Sequence, residues 1–207
     1  MLRQLSVVLV VLGTMMFAAP ASAQESQSIR GLRLHLETSL FGVDSSTATP
    51  DGADEGSTTT TISFGPSAQG LGFGVGFGIT DNLVIGGNLV LNYTSTKREG
   101  SDAHGFADVK LMPYLEFLFG SGSVRPFIGG ALMMELQSGE DYGAQLFGLA
   151  GLGGVHVFMT DSVSLDFSGR LYFEAGSSSV DVGPATADAS LTSVGLLVLA
   201  GVSGWGI

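Results

Sequence analysis

The chain has 207 residues, with 8 Lys and Arg against 19 Asp and Glu and no cysteine. A formal charge of −11 leaves no basic stripe to meet phosphate, which argues against a nucleic-acid partner. Glycine, at 32 residues, is about twice its usual share of roughly 7%. Mean hydropathy is +0.40, yet no clean apolar helix follows the N-terminus, so the pattern points to strands with one apolar face.

Residues 1–23 read as a secretory signal peptide: Arg3 supplies the charge, Leu5 to Ala19 the apolar core, and Ala21-Ser22-Ala23 the small-residue cleavage site, with Ala21 and Ala23 as its two small positions. The mature chain is expected from Gln24 as one domain, 24–207. An exported chain without cysteine has no disulfide framework, and closure of a hydrogen-bonded barrel would hold it instead.

The first strand is expected over Ile29 to Phe41, with Leu32, Leu34, Leu36 and Leu40 on one face and Arg33, His35 and Glu37 on the other. A polar loop with four acids follows from Gly42 to Ser57. The second strand starts in the Thr58–Thr61 run, with Pro66 marking a kink or an edge. It ends in the clearest stretch of the chain, where Leu71, Phe73, Val75, Phe77 and Ile79 alternate with glycines. Thr80-Asp81-Asn82 turns the chain, and Leu83, Ile85, Leu89, Leu91 and Tyr93 alternate on the way back. Each arm is as long as a strand that crosses a bilayer at a tilt, roughly 9–11 residues.

Beyond a second polar loop (Thr94 to Gly105), the fourth strand (Phe106 to Phe119) sets Val109, Leu111, Leu115 and Phe117 opposite Lys110, Tyr114 and Glu116. The fifth (Val124 to Gln137) sets Ile128, Leu132, Met134 and Leu136 opposite Met133, Glu135 and Gln137. After a short acidic loop, Ser138 to Gly143, the sixth (Ala144 to Met159) is apolar on both faces, which fixes its register weakly, and Phe147, Leu149, Val155, Val157 and Met159 are expected to face lipid. The seventh sets Val163, Leu165, Phe167, Leu171 and Phe173 opposite Ser164, Asp166, Ser168, Arg170, Tyr172 and Glu174. A last loop, Ser177 to Ala189, precedes an eighth strand that runs from Ser190 and is again apolar on both sides. Short turns follow the even-numbered strands and longer polar connections the odd ones. That asymmetry predicts an eight-stranded antiparallel up-and-down transmembrane β-barrel, with short periplasmic turns and longer external loops.

Through the Ile79-Thr80-Asp81-Asn82-Leu83-Val84 hairpin, the Val124-Arg125-Pro126-Phe127-Ile128-Gly129 start of strand five and the alternating seventh strand, the mature chain resembles the small outer-membrane β-barrels of Gram-negative bacteria, the OmpA/OmpX-like barrel-domain families. The resemblance implies residence in the bacterial outer membrane, contact with its lipid and lipopolysaccharide, and insertion by the barrel-assembly machinery. Many members end on an aromatic residue; this chain ends Gly204-Trp205-Gly206-Ile207, with Trp205 two places early. OmpA itself carries a further peptidoglycan-binding domain, and the sequence implies no such anchoring role.

The eleven inward polar residues (Arg33, His35, Glu37, Lys110, Tyr114, Glu116, Glu135, Asp166, Arg170, Tyr172 and Glu174) are expected to form a lumenal network. An eight-stranded barrel is just wide enough for side chains to fill, and buried charges must pair. The same residues could instead line a narrow polar pore. No catalytic, cofactor or metal site is expected. His156 has no serine beside it, His104 falls in a loop and His35 reads as lumenal. The acidic first loop lacks the spacing of a calcium loop, and neither glycine cluster matches a nucleotide-binding fingerprint. Tyr93, Phe106, Phe119, Tyr142, Phe173 and Trp205 are candidates either for aromatic girdles or for packing. The functional expectation is a structural or surface-interacting barrel presenting acidic loops, its external partner unspecified. The alternatives are a narrow channel for small or hydrophobic solutes, and a secreted soluble β-barrel that binds a small ligand.

Overall fold

A computed structural model describes residues 29–65, 70–97, 103–182 and 185–206. The expected signal peptide with Ala21 and Ala23, Pro66 and residues 98–102 of the second polar loop lie outside those residues. Among the described residues nine strands follow in order: β1 (Gly31–Pro50), β2 (Ser57–Phe64), β3 (Leu71–Gly78), β4 (Leu83–Lys97), β5 (Ala103–Leu118), β6 (Val124–Gly139), β7 (Tyr142–Thr160), β8 (Val163–Val182) and β9 (Ala185–Trp205). Neighbours in sequence from β3 to β9 pair antiparallel. β9 pairs with β1 from Arg33–Trp205 to Pro50–Ala189 and closes the sheet into a barrel.

β2 and β3 share one place in that ring. Both pair with the same edge of β1, β3 with Gly31–Thr38 and β2 with Phe41–Ala48. The ring therefore has eight positions, and the expected second strand is one strand interrupted. Gly65 and Gly70 border the break with φ of +69° and +81°, a backbone region that side chains disfavour. Among the described residues β2 pairs with β1 alone, whereas β3 also pairs with β4 as far as Leu71–Leu91.

The polar connections are where the structure departs from the sequence reading. β1 runs on to Pro50 through the expected first loop, β4 to Lys97, β6 to Gly139 and β8 to Val182, so the expected loops are mostly paired strand. The reason is that polarity reports the solvent around a segment and not its backbone. Ser and Thr pair well across strands, and here Thr47 and Thr58 bond through their hydroxyls at 2.8 Å, Ser45 and Thr60 at 3.3 Å.

The alternation sorts as expected for a bilayer. Leu111, Leu132, Leu149, Phe167, Leu171 and Phe173 are exposed on the outside, while the charged residues of the same strands face inward. A soluble barrel requires the reverse arrangement, so that alternative is corrected. Of the two-sided strands, β7 turns Phe147, Leu149 and Met159 outward as expected, with Val155 and Val157 half-buried, and β9, which the sequence left unoriented, turns Val194 and Val202 outward.

Glycines fall into two kinds. On the inner wall they make room for large side chains: a Cβ at Gly86 would lie 2.5 Å from the Tyr114 ring, and one at Gly76 would lie 2.6 Å from its hydroxyl. On the outer wall a Cβ at Gly151 would meet nothing within 4 Å. Gly86→Ala is therefore expected to lower stability by about 1–3 kcal/mol through overpacking, while Gly151→Ala leaves it unchanged or slightly raised. Thermal unfolding of both variants in detergent checks the pair.

Candidate functional site

The lumen is filled in layers. At the end that carries both described termini it is stopped by apolar side chains, with Ile29, Val84, Leu118, Phe127 and Phe158 buried around Trp205. Alternation places Trp205 inside because it shares the parity of Ser203, and it is only 2% exposed. It therefore serves packing and not a lipid-facing girdle. Its indole N–H donates to Ser164 Oγ at 2.9 Å. Tyr93, Phe119 and Phe173 do face outward, while Phe106 and Tyr142 are half-buried with rings 5.9 Å apart.

Above this stop lies the first charged layer, built on Arg33 of β1. Its guanidinium donates to Glu116 of β5 at 2.5 Å, to Asp166 of β8 at 3.3 Å and to Ser203 of β9 at 3.0 Å. Its central carbon stands 4.7 Å from the centre of the Trp205 ring. Asp166 is also bonded to His156 Nδ1 at 2.7 Å and accepts from the hydroxyls of Ser164, at 2.7 Å, and Ser203. His156 stacks on Phe127 with ring centres 4.5 Å apart. The sequence reading saw no serine beside His156, but the fold brings Ser164 onto the same carboxylate. That hydroxyl donates to Asp166, not to the imidazole, so the nucleophile-to-base contact of acyl-transfer chemistry is not formed in this cluster.

A second layer joins Arg170 to Glu37 at 2.9 Å, and Asn88 donates to the same Glu37 oxygen at 3.0 Å. His35 packs edge-on against Tyr114, with ring centres 5.9 Å apart. A cavity of about 30 Å³ separates the first two layers, lined among others by His35, Asn88, Tyr114, His156 and Arg170. That is room for one or two waters.

The third layer is centred on Lys110, whose ammonium lies 2.6 Å from Glu135 and 3.5 Å from Glu174. It also stands 5.4 Å from the centre of the Tyr172 ring. The Tyr172 hydroxyl donates to Asp44 at 2.7 Å, as does Ser193 at 2.5 Å. Gln137 donates to Glu135 and accepts from the Tyr142 hydroxyl at 3.0 Å.

All eleven sequence-selected polar residues thus face the lumen, divided among these layers: Arg33, Glu116 and Asp166 in the first, His35, Glu37, Tyr114 and Arg170 in the second, Lys110, Glu135, Tyr172 and Glu174 in the third. The structure adds Asp44, Asn88, Asp108, Arg125, His156, Ser193, Ser203 and Trp205, and it brings Ser164, which alternation puts on the inward face of the seventh strand, into the first layer. Asn88 and Asp108 were within reach of the strand parity, since each lies an even number of residues from Val84 or Lys110. Asp44 was hidden by the loop assignment, and a bulge between Ser39 and Phe41 shifts its parity. Arg125, 1% exposed, donates to the Asp81 carbonyl at 2.5 Å in the neighbouring turn.

Removing a partner from a buried ion network leaves an uncompensated charge, a loss of about 3–5 kcal/mol, whereas exposed pairs contribute about 1 kcal/mol or less. Arg33→Ala, which strands Glu116 and Asp166, is expected to fall in the first range. Arg30→Ala, which breaks an exposed contact to Asp81, is expected to fall in the second. Parallel thermal melts of the two variants test this contrast.

No family model matches the chain, and no curated protein sequence does. Solved structures do. The outer membrane protein OprG from Pseudomonas aeruginosa superposes with a TM-score of 0.59 at 12% identity, covering 88% of this chain and 100% of that one. The outer membrane protein AlkL, determined in lipid bilayers, gives 0.54 at 12% identity, covering 92% of this chain and 98% of that one. These likenesses extend over nearly the whole length of both neighbours. The chain therefore shares the closed β-barrel fold of these small outer-membrane proteins.

Proposed function

We propose that the protein is an integral barrel of the bacterial outer membrane with a structural or surface-interacting role, exported by the signal peptide at residues 1–23 and inserted by the barrel-assembly machinery. The end that carries both described termini faces the periplasm and the far end faces out, in contact with lipopolysaccharide. The observation that carries this reading is the filled lumen: an apolar stop and three polar layers lie in series between the two ends. The eleven lumenal residues act as a plug that fixes the barrel. The far end carries an acidic rim, with Asp51, Asp54, Glu55, Glu140, Asp141, Asp181 and Asp188 exposed at or beside the turns. This rim is the surface offered to a partner.

A second reading, passage of small apolar solutes, is favoured by the one-sided pairing of β2. Exposed Ile62, Phe64, Leu71, Leu91 and Tyr93 stand on the strands that flank that interruption of the wall. Such solutes would leave sideways into the membrane without crossing the plug. The two readings separate in one experiment on the same protein. Planar-bilayer recordings are expected to show no unitary conductance, and cells carrying the protein are expected to take up a small apolar dye no faster than cells without it. Stable unitary currents contradict the plug, while faster dye uptake with silent recordings moves the assignment to the second reading.

A further inference from the structure

The cavity between the first and second layers gathers unmet hydrogen bonds. Five of the side chains that line it keep a buried polar atom without a partner among the described residues: His35 Nδ1, Asn88 Oδ1, Tyr114 Oη, His156 Nε2, and both Nε and Nη1 of Arg170. All five residues are at most 6% exposed. Glu116 Oε2 stands 3.8 Å from His156 Nε2, beyond hydrogen-bond reach. Buried polar groups in this state are rare in folded proteins and call for a partner.

The bonds that the same side chains do make decide what the unmet atoms can do. Asn88 gives an amide hydrogen to Glu37, so its Oδ1 accepts. His156 meets the Asp166 carboxylate through Nδ1 at 2.7 Å, so the proton lies there and Nε2 accepts. Arg170 only donates, and its Nη2 is already taken by Glu37. The Tyr114 hydroxyl can do both. The set therefore calls for a ligand that accepts from Arg170 and donates to Asn88 and His156.

An ion fails that requirement. An anion has no hydrogen to donate, and the lining already holds three carboxylates, Glu37, Glu116 and Asp166, against two guanidiniums. A metal cation would face the Arg170 donors, and no group of three His, Asp or Glu among the described residues is placed to hold one. A volume of about 30 Å³ suits water and excludes larger molecules. We propose that this cavity is a binding site for internal water, which accepts from the Arg170 N–H groups and donates to Asn88 Oδ1 and His156 Nε2, with the Tyr114 hydroxyl as a further partner. Water thereby joins the Arg33 cluster to the Arg170 cluster, and the two layers become one hydrogen-bonded network. The proposal rests on the plug reading and supplies the component that completes the plug.

The test compares the refolded mature barrel in detergent with Ala131→Val and Tyr114→Phe. Ala131 lines the cavity, and valine places two more methyl groups there. Oxygen-17 relaxation dispersion of the solvent counts long-lived internal waters, and Ala131→Val is expected to hold fewer than the parent. Tyr114→Phe removes a hydroxyl that the proposed water serves, and its unfolding midpoint is expected to fall by about 2–4 °C. A dry cavity reverses that sign, because the variant then removes an unmet buried hydroxyl. An unchanged or raised midpoint therefore overturns the site, as does an unchanged water count in Ala131→Val. So does a midpoint that moves when chloride is exchanged for bromide at constant ionic strength, since an anion then occupies the cavity. If Ala131→Val does not refold, Tyr114→Phe carries the test. Bilayer recordings on the same preparation report on the plug separately: silent recordings with a dry cavity remove the water site alone, whereas unitary currents remove the plug.

Discussion

The barrel depends on how Arg33 is held. Its strand, β1, closes the ring by pairing with β3 on one side and β9 on the other, and the side chain reaches across the lumen to β5 and β8. One guanidinium thereby ties the closing strand to the opposite wall. Its five N–H donors in a planar fork suit this task, since they serve Glu116, Asp166 and Ser203 at once. A lysine presents a single ammonium and would not span the three acceptors. The ring of Trp205 beneath it takes the place of water on that side.

Wall and filling are matched to each other. The thin inner wall of β3 and β4 is glycine because Glu37, His35 and Tyr114 lean on it; a Cβ at Gly72, Gly74 or Gly76 would collide with those side chains. Backbone hydrogen bonds keep such a wall intact without side-chain packing, as a lipid environment demands. The outside then needs only apolar surface, which Phe73, Val75 and Phe77 supply between the glycines. Charge inside, glycine beneath it and apolar groups outside form one arrangement, and they appear in the sequence as one alternation.

That is why so much was legible. Period-two alternation fixes the face of every residue on a strand, and the eleven inward residues were read from it along Arg33 to Glu37, Lys110 to Glu116, Glu135 and Asp166 to Glu174. Three kinds of information were not in the pattern. Polar strand extensions such as Asp44 to Pro50 read as loops, because outside the bilayer neither face has to be apolar. Two-sided apolar strands hid the inward parity of Ser203 and Trp205. Contacts between strands distant in sequence, such as Arg33 with Glu116 and Arg33 with Asp166, follow from barrel register, which no local pattern specifies. The interruption of the second strand could be suspected from Pro66, but the one-sided pairing of β2 could not.

The claim on which all of this stands is that the chain is a closed, lipid-facing barrel, and electrophoresis tests it most directly. The mature protein, refolded in detergent with strand content verified by circular dichroism, is loaded in SDS with and without boiling. The account predicts a compact, separately migrating band in the cold sample that shifts to the unfolded position on heating. A single unshifted band from refolded protein that also stays soluble without detergent would contradict it.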